Sequence, residues 1–417
     1  MKWESKIIAS VLLGLCVLSC NKSSATLTES AHTSLPNFGN VQLEEVFTDK
    51  DNRIKGKNQV VSVIDNYYQQ VWEKGNLWGG FLVAKGDAIL YESYRGFSQD
   101  KEIGPIGPET ALHVASVSKT LTAMAVLKLV ESGKLQLDQT VDSILKGFPY
   151  PQVTIKQLLN QRSGLPKYEY FLEKIDPASP ELNKKYLTNE DILSLMIRYK
   201  PEMPRKPDTG FMYCNTNYAL LALVLERVTG ESYPEAMKQM VFIPLGMNNT
   251  YVLEEHLMDK AAKSFFARGP SIYPYDRLDL IYGDKNIFTT PRNLLNFSRA
   301  MYSPDFLESS LMKQVFMPYS NERPGINNYG LGFRMKVYDP QSKLTYHNGW
   351  WHGSNSVFAH LRSSKVTIIA IGNKYSQRIY SSLALSALFE NFPYEVDKLY
   401  KTIDSSGQDI AQIPSGE

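Results

Sequence analysis

One stretch, HVASVSKTLTAMAVLKLVESGKL from His113 to Leu135, constrains the chain more than any other. On a helix, Ala115, Val117, Leu121, Met124, Ala125, Leu127, Leu129 and Val130 leave little polar surface on any face. Such a helix belongs inside a fold, with other elements packed around it. Gly133, following Glu131 and Ser132, supplies its stop. One turn into this apolar run stands Lys119. Burying an ammonium is costly unless it is paired or loses its proton, so a lysine there is a candidate for chemistry.

The first twenty residues, MKWESKIIASVLLGLCVLSC, read as an address. Lys2 and Lys6 give a positive start, and Ile7 to Leu18 form an apolar run of about a dozen residues, short of the ~20 that cross a bilayer. Ser19 directly before Cys20 looks like a bacterial lipoprotein cleavage site, in which the cysteine becomes the diacylated N-terminus. A plain signal peptide cleaved nearby is the alternative. The expectation is a signal over 1–19, a flexible polar tether over 20–55, and a domain held by lipid on the periplasmic or outer face of a bacterial membrane. Of three cysteines, Cys16 would leave with the signal and Cys20 carry the lipid, so Cys214 has no disulfide partner. The net charge of +2 with no basic stripe gives no reason to expect nucleic acid as a partner. Six histidines without metal-ligand spacing lead us to expect neither metal nor cofactor.

From about Val60 the pattern tightens. VSVIDNYYQQVWEKG has apolar residues at helical spacing, and Phe81–Ala84 and Ala88–Tyr94 form a hairpin around Lys85-Gly86-Asp87. The middle is mostly helical, with VTIKQLLNQ, NEDILSLMIRY, NTNYALLALVLERVTG and PRNLLNFSRAMYS as helices. Strands return in YGLGFRMKVY, KLTYH, SNSVFAHLRS and VTIIAIGN, and YSSLALSALFENF reads as a last helix. The fold class is therefore α/β (α+β): one antiparallel sheet built from both chain ends, flanked by helices, with a mostly helical lobe inserted over about 140–300. The domain is expected over 56–398, and 399–417 as a polar tail.

Ser116 lies three residues before Lys119, so both project from one face one turn apart. A hydroxyl is a poor nucleophile until a base takes its proton, and a helix N-terminus favours negative charge developing there. The same spacing occurs at Ser19/Lys22, Ser143/Lys146 and Ser310/Lys313; the apolar wall around Lys119 sets the first pair apart. Free lysine titrates near ~10.4, so service as a base needs a downward shift of roughly three units, within reach of burial. A lysine stem snorkelling from a helix end is the structural alternative.

The segments HVASVSKTLTAMAVLKLVESGKLQLDQTV and VTIKQLLNQRSGLP resemble the serine hydrolases related to class C β-lactamases and penicillin-binding D-Ala-D-Ala peptidases. FMYCNTNYALLALVLERVTG carries a Tyr-x-Asn element at Tyr213 and Asn215. GDKNIFTTPRNLLNF and YGLGFRM follow in order, and His347-Asn348-Gly349 occupies the third landmark. The likeness runs over roughly 60–395. It implies Ser116 as the nucleophile of an acyl-enzyme, with Lys119 and Tyr213 as its proton partners. Either Tyr213, kept as phenolate by the Lys119 cation, is the base, or a neutral Lys119 is the base and Tyr213 relays to the leaving group. It further implies that Asn215 bonds substrate or Lys119, that backbone N–H groups of Ser116 and Trp350 form an oxyanion hole, and that His347 and Gly349 border the substrate.

The departures bear on substrate. Many relatives have Lys-Thr-Gly where this chain has His347-Asn348-Gly349. Histidine, near ~6.5, is mostly neutral at pH 7, which weakens the case for substrates presenting a carboxylate there. Esters, amides and D-amino-acid peptides are favoured over penicillins or terminal D-Ala-D-Ala. Trp350 and Trp351 either line an apolar pocket or fill core. Gln161 stands where relatives have histidine, a position read as structural. No Glu-x-x-Leu-Asn follows Ser116, against class A chemistry, and no Gly-x-Ser-x-Gly elbow appears. The leading reading is a lipid-anchored cell-envelope serine hydrolase for a small-molecule or peptide substrate. The alternatives are a non-catalytic binding protein of the same fold for peptidoglycan or acyl ligands, and a true β-lactamase or D-Ala-D-Ala carboxypeptidase.

Overall fold

The structure, a computed structural model, describes residues 35–99 and 104–396. The expected signal over 1–19, the lipid site Cys20, most of the tether and the tail from 399 lie outside the described residues. Among the described residues no helix is long and apolar enough to cross a membrane.

Ten strands are described: β1 (Gly79–Lys85), β2 (Ala88–Arg95), β3 (Leu112–His113), β4 (Tyr251–Val252), β5 (Ile287–Thr289), β6 (Asn327–Tyr329), β7 (Arg334–Val337), β8 (Lys343–Trp351), β9 (Ser354–Leu361) and β10 (Val366–Gly372). Seven form one sheet in the order β2-β1-β10-β9-β8-β7-β6, every neighbouring pair antiparallel. The N-terminal hairpin thus pairs with the C-terminal strands, as the sequence leads one to expect. The run VTIIAIG is apolar but for Thr367, whose hydroxyl bonds that of Ser298 at 2.7 Å, because both faces of β10 are covered. Ile369 and Ile371 point with Leu82 and Ala84 into one core; Val366, Ile368 and Ala370 point with Phe81 and Val83 into another.

The first core holds the helical lobe and α2 (Ser118–Glu131), in which every residue from Ser118 to Leu129 is buried. The second lies under α1 (Lys57–Tyr67), with Tyr67 and Trp72 fully enclosed. The lobe contains the expected helices at Ile155–Leu159, Asn189–Tyr199, Asn215–Thr229 and Pro291–Ala300, and adds a small sheet, β3-β5-β4.

Two expectations change. The tether, expected to run to residue 55, gives way from Leu35 to packed chain. Phe38 is fully buried and stacks on Phe306 with centroids 4.2 Å apart, its N–H bonds Met240 O at 3.1 Å, and Val41 and Phe47 are buried as well. These apolar residues are too sparse to show a period, so composition concealed them. The last segment, Gln377–Leu388, is a run of 3-10 turns rather than an α-helix. Ser381 and Ser382 hydroxyls donate back to Arg378 O and Ile379 O at 2.7 and 2.8 Å, competing with α-helical bonding.

Candidate active site

Ser116 sits in a single 3-10 turn, Ala115–Val117, that leads into α2. Ala115 has φ +46°, left-handed for a residue with a Cβ, a conformation that costs on the order of 1–2 kcal/mol. Its neighbours hold it there. Val114 N–H donates to Ile287 O at 3.0 Å, Val114 O accepts from Ser356 Oγ at 2.6 Å, and Ile287 N–H donates to Ser118 Oγ at 3.1 Å.

Lys119 is fully buried. Its Nζ lies 3.0 Å from Ser116 Oγ, 2.8 Å from Asn215 Oδ1 and 2.8 Å from Asp284 O. The last two are acceptors only: Asn215 must turn its oxygen to Lys119 because its Nδ2 donates to the Glu169 carboxylate. Two N–H groups of Lys119 are therefore committed, and the third position faces the serine oxygen. An amine there can hold a proton toward Ser116 Oγ or accept one from it. The same Nζ stands 5.0 Å from the centroid of the Tyr213 ring.

Gln161 positions Tyr213. With φ +60°, it accepts from Met212 N–H through its backbone oxygen at 2.9 Å, and through Oε1 from Cys214 N–H at 2.9 Å and Asn217 Nδ2 at 2.7 Å. The residue that departs from the family pattern thus pins both sides of Tyr213. Cys214 is buried without a disulfide, its thiol pushed up to about 12 by burial, then by the Glu169 charge, and is inert.

A cleft of about 480 Å³ opens over these groups. Ser116, Tyr213, Asn215, Gly349, Trp350 and Trp351 border it, joined by Glu169, Tyr170, Arg334 and Tyr380. Trp350 and Tyr170 are each 61 % exposed at its rim.

His347 is a correction. It is fully buried and does not reach the cleft. Nδ1–H donates to Asn348 O at 2.7 Å, which leaves Nε2 to accept the Tyr329 hydroxyl at 3.1 Å. Burial, then the nearby Arg334 charge, holds the ring well below the ordinary imidazole value, so it stays neutral. Gly349 also has a second task besides bordering the cleft. A Cβ there would lie 2.2 Å from Ser356 Oγ and 2.3 Å from Val114 O, so its bareness lets β8 press against the turn carrying Ser116.

Arg334, missed in the sequence, enters the cleft from β7, opposite Tyr346 of β8. Its guanidinium carbon is 4.5 Å from the Tyr213 ring centroid, its Nε has no partner, and it forms no ion pair among the described residues. Flanked by buried Phe333 and Met335, it was the one cation in YGLGFRM and could have been flagged by strand alternation. Asp284, whose carbonyl holds Lys119, and Glu169 gave no such signal.

Behind Trp351 sits a second polar cluster. Asp279 accepts from Trp351 Nε1 at 2.6 Å and, through both oxygens, from His352 Nε2 at 3.1 Å. Burial would lower the His352 value, but the bond to Asp279 and the charges of Asp279 and Asp276 outweigh it and hold the imidazole above its ordinary value. For Asp279, burial would raise the value, but the His352 bond and charge win and hold it low. Asp276, Asp279 and His352 lie within 4.8 Å of one another, near enough for a cation, but the Asp279 oxygens are already taken by these donors.

A serine hydroxyl and a buried lysine amine in contact, beside a tyrosine and a cleft on an antiparallel sheet with a helical lobe, define the β-lactamase/transpeptidase class of fold and site. The chain belongs to the Beta-lactamase family, whose sequence model matches residues 64–380. It is 29 % identical over 371 residues to penicillin-binding protein 4* of Bacillus subtilis, covering 82 % of this chain and 80 % of that one. Among solved structures it is similar to a penicillin binding protein from Bacillus halodurans, at 26 % identity and TM-score 0.67, over 81 % of this chain and all of the other. The D-amino acid amidase of Ochrobactrum anthropi shares the fold at 20 % identity and TM-score 0.63, covering 84 % of this chain and 100 % of that one.

Proposed function

We propose that this protein is an acyl-serine hydrolase of the cell envelope, acting on amide or ester bonds, with D-amino-acid peptides as its substrate class. The observation that carries the reading is the 3.0 Å contact between Ser116 Oγ and the fully buried Lys119 at the floor of the cleft. Lys119, its other two N–H groups held, takes the proton as Ser116 Oγ bonds the substrate carbonyl carbon. Backbone N–H groups of Ser116 and Trp350 stabilise the developing oxyanion. Tyr213 passes a proton to the departing amine or alcohol as its bond to carbon breaks. Water then attacks the acyl-serine, its proton returning through the same pair, and the free acid leaves.

Arg334 alters the substrate argument made from His347. The cationic side chain that Lys-Thr-Gly would offer is absent, but an unpaired guanidinium faces the same cleft, suited to a substrate carboxylate on the leaving-group side. We also read Cys20 as the lipid-bearing N-terminus. A Cys20→Ala chain should then leave the detergent phase; its continued partition there would place the anchor elsewhere.

The test of the function is a panel of p-nitrophenyl esters, nitrocefin and D-amino-acid amides, run with wild type and Ser116→Ala. Turnover of esters and D-amides, faster than nitrocefin and lost in Ser116→Ala, supports the reading. A folded wild type inert toward all three refutes it and leaves the non-catalytic binding protein.

A further inference from the structure

Tyr380, from the run of 3-10 turns at Gln377–Leu388, stands on the cleft wall, and the proton steps above do not use it. Its hydroxyl donates to Gly349 O at 2.9 Å and accepts from Asn355 Nδ2 at 2.8 Å. The direction of both bonds is fixed. Asn355 Oδ1 accepts from Ser376 N–H at 3.0 Å, which turns the amide nitrogen to Tyr380, and a carbonyl can only accept. Burial holds the phenol above its ordinary value, so the donor proton stays in place. Asn355 is itself buried, and it lies opposite Trp350 in the register of β8 and β9.

Gly349 O matters because of the peptide it belongs to. The same planar unit carries the N–H of Trp350, and no peptide bond among the described residues is cis, so carbonyl and N–H point opposite ways. The acyl-serine reading puts that N–H in the oxyanion hole. Pairing with β9 aligns the strand, and Trp350, 61 % exposed at the rim, adds little hold of its own. The Tyr380 bond acts on this one unit. Fixing the carbonyl fixes the N–H, and a carbonyl that accepts a hydrogen bond makes the N–H of its own unit a stronger donor.

We propose that Tyr380 is a positioning residue for the oxyanion hole. Its hydroxyl, aimed by Asn355, holds and polarises the peptide between Gly349 and Trp350, so that Trp350 N–H meets the negative charge developing on the substrate's carbonyl oxygen. This deepens, and rests on, the acyl-serine reading. The gain belongs to the transition state, where that oxygen carries charge, rather than to substrate binding.

The test compares p-nitrophenyl acetate with its thionoester, in which sulfur replaces the carbonyl oxygen, in wild type and in Tyr380→Phe. Sulfur is a larger and weaker hydrogen-bond acceptor, so the thionoester draws less on the hole. Wild type should favour the oxygen ester in kcat/KM. Tyr380→Phe should slow acylation by the oxygen ester about 3- to 10-fold and lower the oxygen-to-sulfur ratio about threefold or more, as expected for one hydrogen bond acting through another. A residue that merely supports the fold would slow both esters in proportion and leave the ratio intact, and that result overturns the proposal, as does a wild type without preference for oxygen. Asn355→Leu keeps the phenol but removes the donor that aims it. It should lower the ratio in the same direction by a smaller factor, and an unchanged ratio in either folded variant overturns the proposal. Oxygen-ester turnover that Ser116→Ala abolishes but whose ratio neither variant moves defeats this inference alone, whereas no acyl turnover of either ester defeats the acyl-serine reading itself.

Discussion

Replacing Gly349 with alanine tests how the sheet fixes the nucleophile. The added Cβ would stand 2.2 Å from Ser356 Oγ, 2.3 Å from Val114 O and 3.1 Å from Ala115 Cβ. The first neighbour is a side chain that can rotate, at the cost of its 2.6 Å bond to Val114 O. The second is backbone, two residues before Ser116, in a turn already bent into the left-handed region at Ala115. Relief to ordinary contact needs a shift on the order of 1 Å between β8 and that turn. Overpacking of this kind costs about 1–3 kcal/mol, and misplacing a reacting group by about 1 Å can cost 10²-fold in rate. For a chain of this size the stability loss lowers the melting temperature by roughly 1–4 °C. Gly349→Ala should therefore melt a few degrees lower and show an acylation burst with p-nitrophenyl acetate slowed about a hundredfold. Adding Ser356→Ala clears the shorter contact but not the backbone one, so the double variant should recover only part of the loss. A Gly349→Ala protein with wild-type melting and a wild-type burst would refute the argument that β8 sets the position of Ser116.

Other perturbations read other parts of the account. Arg334→Gln should raise KM about 10- to 100-fold for substrates ending in a free carboxylate relative to their amidated counterparts, as expected for losing a charged hydrogen bond; equal effects on both would remove Arg334 from substrate binding. Phe38→Ala should cost about 3–5 kcal/mol in urea unfolding, and a loss below about 1 kcal/mol would mean that the segment from Leu35 contributes little to the fold. The His352–Asp279 pair should give a pH-dependent difference in stability between wild type and His352→Asn, a substitution that tolerates the left-handed φ of +51°. The raised imidazole contributes fully below its ordinary value near ~6.5 and loses its contribution as pH rises through the raised one; the lowered Asp279 contributes above the ordinary carboxylate range and loses it only as pH falls through its own value. The difference, about 1–3 kcal/mol, should be largest near pH 5–6 and shrink above neutrality, and a difference flat across that range would contradict the pair.

Much of this was legible in the sequence because a few residues carry it. The apolar helix around Lys119 could only be central, and the hairpin at 79–95 and the strands after 327 could only close on one another. Tyr213, Asn215 and Lys119 came together as the family likeness implied. His347 was misplaced because a landmark motif says which strand borders a site, not what covers each side chain; His347 shares the face of Gly349 and Trp351 on β8, but Tyr329 and Tyr213 pack against it and close it off from the cleft. Arg334 and Glu169 were missed for the complementary reason. Each is an ordinary charged residue in its own segment, and only packing shows that one faces Tyr213 and the other ends in an oxygen with no donor. The chain from Leu35 to residue 55 was misjudged because its buried residues, Phe38 above all, are spaced to fit the lobe rather than to form a repeat.

The measurement that bears most directly on the central claim is covalent labelling by a fluorophosphonate, read by intact mass and peptide mapping on wild type, Ser116→Ala, Lys119→Met and Tyr213→Phe. The account predicts a single adduct on Ser116 in wild type, none in Ser116→Ala or Lys119→Met, and slowed labelling in Tyr213→Phe, all four chains being folded. An adduct at another residue, or labelling of Lys119→Met at the wild-type rate, would contradict it.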